Sequence, residues 1–468
     1  MTAPSGVRLA SPQGRLLLVM TILGSGMAGI DGTIVNVALP QIGRSFDAPF
    51  ATLQWVVTGY ALTLAAFILL GGVLGDRLGR QRVFVLGVVW FTAASLACGL
   101  APTAGALVAA RVVQGIGGAL LTPASLALLQ SAVVREDRAR AIGLWAGLGG
   151  VAMAIGPFLG GWLVDVASWH WVFLINLPIA AVTLAIAARL PGPAPTDRSQ
   201  QAPLDVIGAG LGVVALAGTT YALTAAGEGG LPPFAVVAAV VGVVAAVTFV
   251  VHEHRTAAPM LPLGIFRSRT FSTVTVVTFL VYGGMGVVFL LLVVQLQVVA
   301  GWSPLASGIA ALPTTLLMMV GSSRAGALGE RIGPRLPMSV GPIIMAVGIV
   351  LLLRTGPTTD YVLDVLPGVV VFGLGLTLMV APLTATALSS APDEHAGLAS
   401  GINNAVARAG GLLGVAAVPP LAGLTGRVVE DPAAFDAGFR TAMVACAVVI
   451  AGGGLLAGAA LRGRTVER

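Results

Sequence analysis

Runs of about twenty apolar residues recur fourteen times along this chain, and that recurrence restricts the fold more than any other feature. A helix needs roughly twenty such residues to cross the hydrocarbon core of a bilayer. The runs lie near 16–39, 54–74, 83–101, 104–127, 141–164, 171–188, 206–226, 232–251, 271–298, 303–323, 337–353, 365–387, 397–424 and 441–461. None alternates with period two, so they do not read as strands of a barrel. Of the 468 residues only 9% are charged and 57% are hydrophobic, against roughly 25% charged in a soluble domain. The chain reads as an all-α membrane protein with fourteen transmembrane helices.

The charges that remain set a direction. All 25 basic residues are arginine, and no lysine occurs. A Walker A loop places a lysine on nucleotide phosphates, so no ATP-driven engine of that kind is expected. With the N-terminus in the cytoplasm, the inner segments hold Arg8, Arg15, Arg77, Arg80, Arg82, Arg135, Arg138, Arg140, Arg189, Arg198, Arg255, Arg267, Arg269, Arg324, Arg331, Arg335, Arg462, Arg464 and Arg468. The outer segments hold only Arg44, Arg354, Arg427 and Arg440. This asymmetry satisfies the positive-inside rule and puts both termini inside, in a cell (inner) membrane. The inner loop Asp393-Glu394-His395 is the exception, with no arginine. Because the arginines sit in short loops, the net charge of +6 is a topology signal and not one for nucleic acid. Cys98 and Cys446 lie inside apolar stretches, so no disulfide framework is indicated. The first run shows no clear small-residue cleavage site of a signal peptide.

An internal repeat supports this organisation. Gly72-Val-Leu-Gly75-Asp76-Arg77-Leu-Gly79 returns as Gly326-Ala-Leu-Gly329-Glu330-Arg331-Ile-Gly333. Each copy follows the second span of a six-span set. Two related halves are how many secondary transporters are built, with substrate handled between them. The expected domains are therefore a six-helix bundle over 1–190, a linker with two inserted helices over 191–262, and a second six-helix bundle over 263–468. The linker itself is the polar, proline-rich Pro191 to Pro203.

Three charges sit deep in spans: Asp31, Arg111 and Arg408. An ionisable group at that depth costs on the order of 3 kcal/mol on insertion scales, so such groups are functional candidates. Asp31 lies about eight residues from the outer end of the first span, and Arg111 about seven from the outer end of the fourth. Both are then roughly 10–12 Å below the outer interface, which allows a pair. Burial disfavours the charged carboxylate while a nearby arginine favours it. Small changes in separation or hydration can then load or release a proton. A static ion pair between the first and fourth spans fits the same residues. Arg408 follows Asn403 and Asn404 by about a turn, and suits contact with an anionic group, an alternative pairing with Asp31, or a purely structural role.

The fifth span is rich in glycine around one proline. Gly143 with Gly147 and Gly156 with Gly160 are small-xxx-small pairs that let helices approach closely. Pro157 removes a backbone donor and kinks the span. Tight packing accounts for part of this, and a pivot accounts for the density. Polar residues at apolar depth are candidates for a substrate cavity, namely Asn36, Gln54, Tyr60, Gln114, Asn176, Tyr282, Gln295, Gln297, Asn403 and Asn404, with Trp55 and Trp145 adding aromatic surface. Of these, Asn36, Gln54, Tyr60, Gln114, Trp145, Gln295 and Asn404, together with Arg408, are the principal ones. Each taken singly also suits a helix–helix hydrogen bond. His252-Glu253-His254 reads as a solvated interfacial cluster and not a metal site. No nucleophile–base or metal constellation points to an enzyme, and no cofactor is expected.

The segment from Gly72 to Arg82 resembles the signature of the major facilitator superfamily between its second and third helices. Asp31-Gly-Thr-Ile-Val-Asn36-Val-Ala-Leu-Pro40 resembles the first-helix motif of the fourteen-helix drug:proton antiporters. Arg111-Val-Val-Gln114-Gly115-Ile-Gly117-Gly118 and Gly156-Pro157-Phe-Leu-Gly160-Gly161 are similar to their fourth- and fifth-helix motifs, and Trp169 to Pro178 also fits. The resemblance covers essentially the whole chain. It implies the major facilitator fold, with two six-helix bundles plus two inserted helices. It also implies a cytoplasmic gate at Gly72, Gly75, Asp76, Arg77, Gly79 and Arg80, a proton-responsive pair of Asp31 and Arg111, and a fifth-helix pivot at Gly156, Pro157 and Gly160. The second copy of the gate motif departs from the signature, with Glu330 for aspartate and Pro334 for a basic residue. The expected activity is proton-coupled export of small amphipathic molecules such as drugs, antibiotics or secondary metabolites. The expected partners are protons, that substrate and membrane lipid, with the chain acting as a monomer and without nucleic acid or ATP. A lipid or cell-envelope precursor translocase of the same fold, or a proton-coupled importer, are the alternatives.

Overall fold

The computed structural model describes residues 6–190, 205–226, 232–256, 259–390 and 396–461. The 191–203 linker, the 393–395 loop and Arg462, Arg464 and Arg468 lie outside the described residues, as does the side chain of Asp76. Among the described residues the chain is helical, and its one extended contact is an isolated bridge between Val7 and Val133.

The helices are α1 (Pro12–Phe46), α2 (Phe50–Leu78), α3 (Arg80–Gly99), α4 (Ala104–Ala132), α5 (Arg135–Val166), α6 (Trp171–Leu174), α7 (Asn176–Ala187), α8 (Val206–Ala225) and α9 (Pro233–Arg255). They continue as α10 (Arg269–Val298), α11 (Pro304–Ile309), α12 (Leu312–Ile332), α13 (Arg335–Leu351), α14 (Leu366–Ser389), α15 (Ala396–Leu421) and α16 (Pro432–Ala460). Their starts carry the side chains that satisfy exposed N–H groups. Thr103 accepts from Ala106 N at the head of α4, and Ser268 from Phe271 N at the head of α10. Asp431 accepts from two amides at the head of α16, with Pro432 at the first helical position, where no N–H is needed.

Each of the fourteen apolar runs falls on a helix or a pair of short helices. Twelve of the described spans are long and apolar enough to cross a membrane. The α6–α7 stretch Trp171–Ala187 is shorter, and α15 is not among the twelve. The polar residues Asn403, Asn404 and Arg408 inside α15 lower its hydropathy.

The chain divides into two compact units, one of residues 1–46 and 55–213 and the other of residues 47–54 and 214–468. The same pairing recurs in both. In the first unit α3 packs along α4 and α1 along α5; in the second, α13 packs along α14 and α10 along α15. The repeated motif makes the same turn twice. Helix α2 ends at Leu78, Gly79 takes φ 96°, and α3 begins at Arg80; α12 ends at Ile332, Gly333 takes φ 81°, and α13 follows at Arg335. That left-handed backbone disfavours any residue with a Cβ.

The unit boundary falls inside α8, the first of the two inserted helices. Helices α8 and α9 meet at Gly218 and Gly242, where a Cβ on Gly218 would stand 2.6 Å from the Ala238 carbonyl. Val237, Val240, Val244 and Val247 of α9 are exposed, a face suited to lipid. At the end of α9 the structure corrects one expectation. Glu253 is only 2% exposed and accepts from Leu261 N at 2.9 Å, so it anchors the following segment and is not part of a solvated cluster.

Candidate functional site

Arg111 and Gln114 stand three residues apart on α4 and therefore share a face. The glycines that follow them let neighbouring helices come close to that face. A Cβ on Gly115 would overlap the Thr63 hydroxyl and the Tyr60 carbonyl of α2, and one on Gly117 would lie 2.6 Å from Phe91 N of α3. Helix α4 thus brings Arg111 to Tyr60 and Gln114 to Ser95. Asn176 opens α7 where the sixth apolar run breaks at Ile175. Pro178 has no N–H to return to the Leu174 carbonyl, which accounts for the break.

These elements close around Asp31 of α1, which is 0% exposed, with Arg111 1% exposed. Arg111 Nη1 donates to Asp31 Oδ2 in a buried ion pair. The same nitrogen donates to Gln114 Oε1 at 2.7 Å, and Nε donates to the Val56 carbonyl at 2.9 Å. The guanidinium carbon lies 4.3 Å from the centre of the Tyr60 ring and 5.6 Å from that of Phe173. Tyr60 is itself fixed by its hydroxyl, which donates to the Ala28 carbonyl at 3.1 Å. The second carboxylate oxygen, Oδ1, accepts from Gln114 Nε2 at 2.8 Å and from Asn176 Nδ2 at 3.2 Å. Both amides also donate to Ser95 Oγ, at 2.9 and 2.8 Å. Cys98 Sγ stands 3.6 Å from Gln114 Oε1.

Every group on the carboxylate is a donor, which suits an ion that only accepts. A buried pair of this kind is held by its further hydrogen bonds and not by Coulomb attraction alone. Protonating either oxygen would introduce an O–H where only donors now point, so at least one contact must change. The contacts that a proton on Asp31 would disturb are those from Arg111, Gln114 and Asn176.

The expected pair is brought together, and Tyr60, Gln114 and Asn176 join it. In the same unit, the Asn36 Oδ1 and Trp145 Nε1 atoms are buried without a hydrogen-bond partner. In the second unit Gln54 Nε2 donates to the Val415 carbonyl at 2.8 Å, and Gln295 Nε2 to Asp436 Oδ1 at 2.6 Å. Asn403 accepts from Thr278 at 2.9 Å, and exposed Asn404 donates to Ser400 of its own helix. Arg408 of α15 is half-buried. In the repeated motif Arg80 Nη1 donates to the Ala127 carbonyl of α4 at 3.0 Å.

Helix α5 divides the expected glycine pairs. A Cβ on Gly156 would overlap the Thr33 hydroxyl of α1, and one on Gly160 would stand 2.8 Å from the Ile34 carbonyl. Thr33 also donates to the Met153 carbonyl at 3.0 Å, next to Pro157. Gly143 and Gly147 meet nothing within 4 Å, so the expectation that they pack a neighbouring helix is corrected. The spacing alone could not separate them, because it defines a face and not what covers it.

Ser95, Phe173 and the Val56 carbonyl were not legible as members of the site. A single serine in an apolar run carries little signal, and a backbone carbonyl carries none.

The helical pairings, the twice-made glycine turn and the long apolar helices describe a polytopic helical membrane protein with a repeated half. A family model described as Major Facilitator Superfamily matches residues 21–415. The multidrug resistance protein Stp of Mycobacterium tuberculosis (strain CDC 1551 / Oshkosh) is 36% identical over 408 residues, covering 86% of this chain and 74% of that protein. The puromycin resistance protein pur8 of Streptomyces alboniger is 35% identical over 403 residues, covering 85% and 80%. Among solved structures, a bacterial homologue of the human lysosomal transporter Spinster, inward-facing and occupied, superposes with a TM-score of 0.71 at 17% identity, over 97% of this chain and 98% of that one. The chain belongs to the Major Facilitator Superfamily. It is a multi-pass membrane transporter and not an enzyme.

Proposed function

We propose that this protein exports small amphipathic molecules, drugs or antibiotics among them, in exchange for protons by alternating access. The observation that carries this reading is the buried carboxylate of Asp31, paired with Arg111 and surrounded only by donors. Its similarity to relatives named for multidrug and puromycin resistance supports the substrate class. One proton entering at ~150 mV supplies roughly 3.5 kcal/mol, or about a three-hundredfold gradient of substrate.

In this reading the bundles over 1–190 and 263–468 alternate, and 191–262 supplies the linker and the inserted pair. Fourteen helices cross the cell membrane, both termini are cytoplasmic, and the chain works as a monomer without ATP. Gly72, Gly75, Asp76, Arg77, Gly79 and Arg80 form the cytoplasmic gate, and Gly156, Pro157 and Gly160 the pivot of α5. Asn36, Gln54, Tyr60, Gln114, Trp145, Gln295, Asn404 and Arg408 serve the substrate. Tyr60 does so through its ring against Arg111, and Gln114 through its bonds to Asp31 and Arg111.

Puromycin accumulation in cells expressing the full chain tests the direction and energy source together. The expected result is that accumulation falls with expression, returns when a protonophore collapses the gradient, and does not respond to loss of ATP at constant gradient. Net uptake on expression, or export that persists without a proton gradient, would overturn the reading. Lipid scrambling without drug export would point to a lipid translocase.

A further inference from the structure

We propose that Asn176 is a positioning residue whose side-chain amide turns over when Asp31 takes up a proton, exchanging a donor for an acceptor; this rests on Asp31 being the proton site. The two oxygens of Asp31 are not equivalent. Oδ2 belongs to Arg111, whereas Oδ1 is held only by the neutral amides of Gln114 and Asn176. A proton added to Oδ1 therefore leaves the bond to Arg111 in place, but the new O–H needs an acceptor.

Two amide oxygens stand in the neighbourhood. Gln114 Oε1 is engaged, accepting from Arg111 Nη1 at 2.7 Å with Cys98 Sγ at 3.6 Å. Asn176 Oδ1 is buried and has no hydrogen-bond partner, in a residue that is 0% exposed. An orphaned acceptor in so closed a site calls for an explanation. A half-turn about the last side-chain bond exchanges Oδ1 and Nδ2. Oδ1 then accepts from the new Asp31 O–H.

Ser95 makes the exchange self-consistent. Its Oγ now accepts from both amides. After the turn its hydroxyl proton can donate to Asn176 Oδ1 while Oγ still accepts from Gln114, since a hydroxyl serves in both directions. Asn176 Nδ2 moves to where Oδ1 stands unpaired. Each charge state thus leaves one end of the same amide without a partner, so neither is favoured by that account alone, as a reversible switch requires. The proton joins Oδ1 of an ionised carboxylate to give the neutral acid and leaves by the same route. The titratable and charged groups facing this centre are Arg111 from α4, Tyr60 from α2 and Cys98 from α3.

Infrared difference spectra of the full chain in lipid, titrated with acid, test this. The protein carries a ¹³C label at the asparagine side-chain carbonyl, and the chain has only Asn36, Asn176, Asn403 and Asn404. The expected result is a protonated-carboxyl band, absent in Asp31→Asn, rising together with a shift of one labelled amide band at the same midpoint. That amide band is assigned by its loss in Asn176→Ser. Should the variant not fold, it is assigned by its persistence when Asn36, Asn403 and Asn404 are each replaced by serine. A carboxyl band that titrates while every labelled amide stays still overturns the role of Asn176 and leaves Asp31 in place. Absence of any band lost in Asp31→Asn overturns the proton site and the proposal with it.

Discussion

Arg111 meets Asp31, the Gln114 amide, the Val56 carbonyl and the face of Tyr60 at once. A planar guanidinium can satisfy all four, whereas a lysine ammonium is a point charge on a flexible stem. Arg111→Lys is therefore expected to retain the fold and to lose about 10²-fold in coupled transport, the equivalent of one or two charge-assisted hydrogen bonds. Arg111→Leu goes further, because it leaves the carboxylate buried without its counter-charge, a change that costs about 3–5 kcal/mol in comparable buried pairs. Adding Asp31→Asn removes that charge. The double variant is expected to melt above Arg111→Leu alone when followed by thermal unfolding in detergent, and an additive result would mean that the two residues do not interact energetically.

At the scale of helices, two glycines of α5 should behave oppositely. Gly160 lies against the Ile34 carbonyl, so Gly160→Ala forces α1 and α5 apart and is expected to cost about 1–3 kcal/mol and to impair transport. Gly147 meets nothing within 4 Å, and Gly147→Ala should be neutral or stabilising by up to about 1 kcal/mol. The turn at Gly79 and Gly333 gives a matched pair: alanine at either position meets a left-handed backbone and is expected to cost about 1–2 kcal/mol. Equal losses in thermal stability would mark the two copies as structural equivalents. These elements also show what the sequence carries. The positions of the spans and the repeated segment follow from hydropathy and a repeated motif, and helical depth allows the pairing of Asp31 with Arg111 that the family resemblance implies. Which glycines are covered, the burial of Glu253 and the role of Ser95 depend on which helix lies opposite, and spacing along one helix does not record its neighbours.

At the scale of the molecule, an arginine asymmetry, a repeated half and the buried Asp31–Arg111 pair bear on one another. The asymmetry predicts sidedness. Both native cysteines are buried, so single cysteines placed at Arg427 and Arg135 can be read with a membrane-impermeant maleimide on intact cells. Label at 427 and none at 135 is expected, and the reverse would invert the topology. The central claim is that proton movement through Asp31 drives export, and the most direct measurement follows protons themselves. The purified chain is reconstituted in liposomes with a pH-sensitive dye inside, a proton gradient is imposed, and puromycin is added to wild type and to Asp31→Asn. Puromycin-dependent proton flux in the wild type that is abolished in Asp31→Asn is the predicted result. Flux of undiminished size in Asp31→Asn would contradict it and assign the proton to another group.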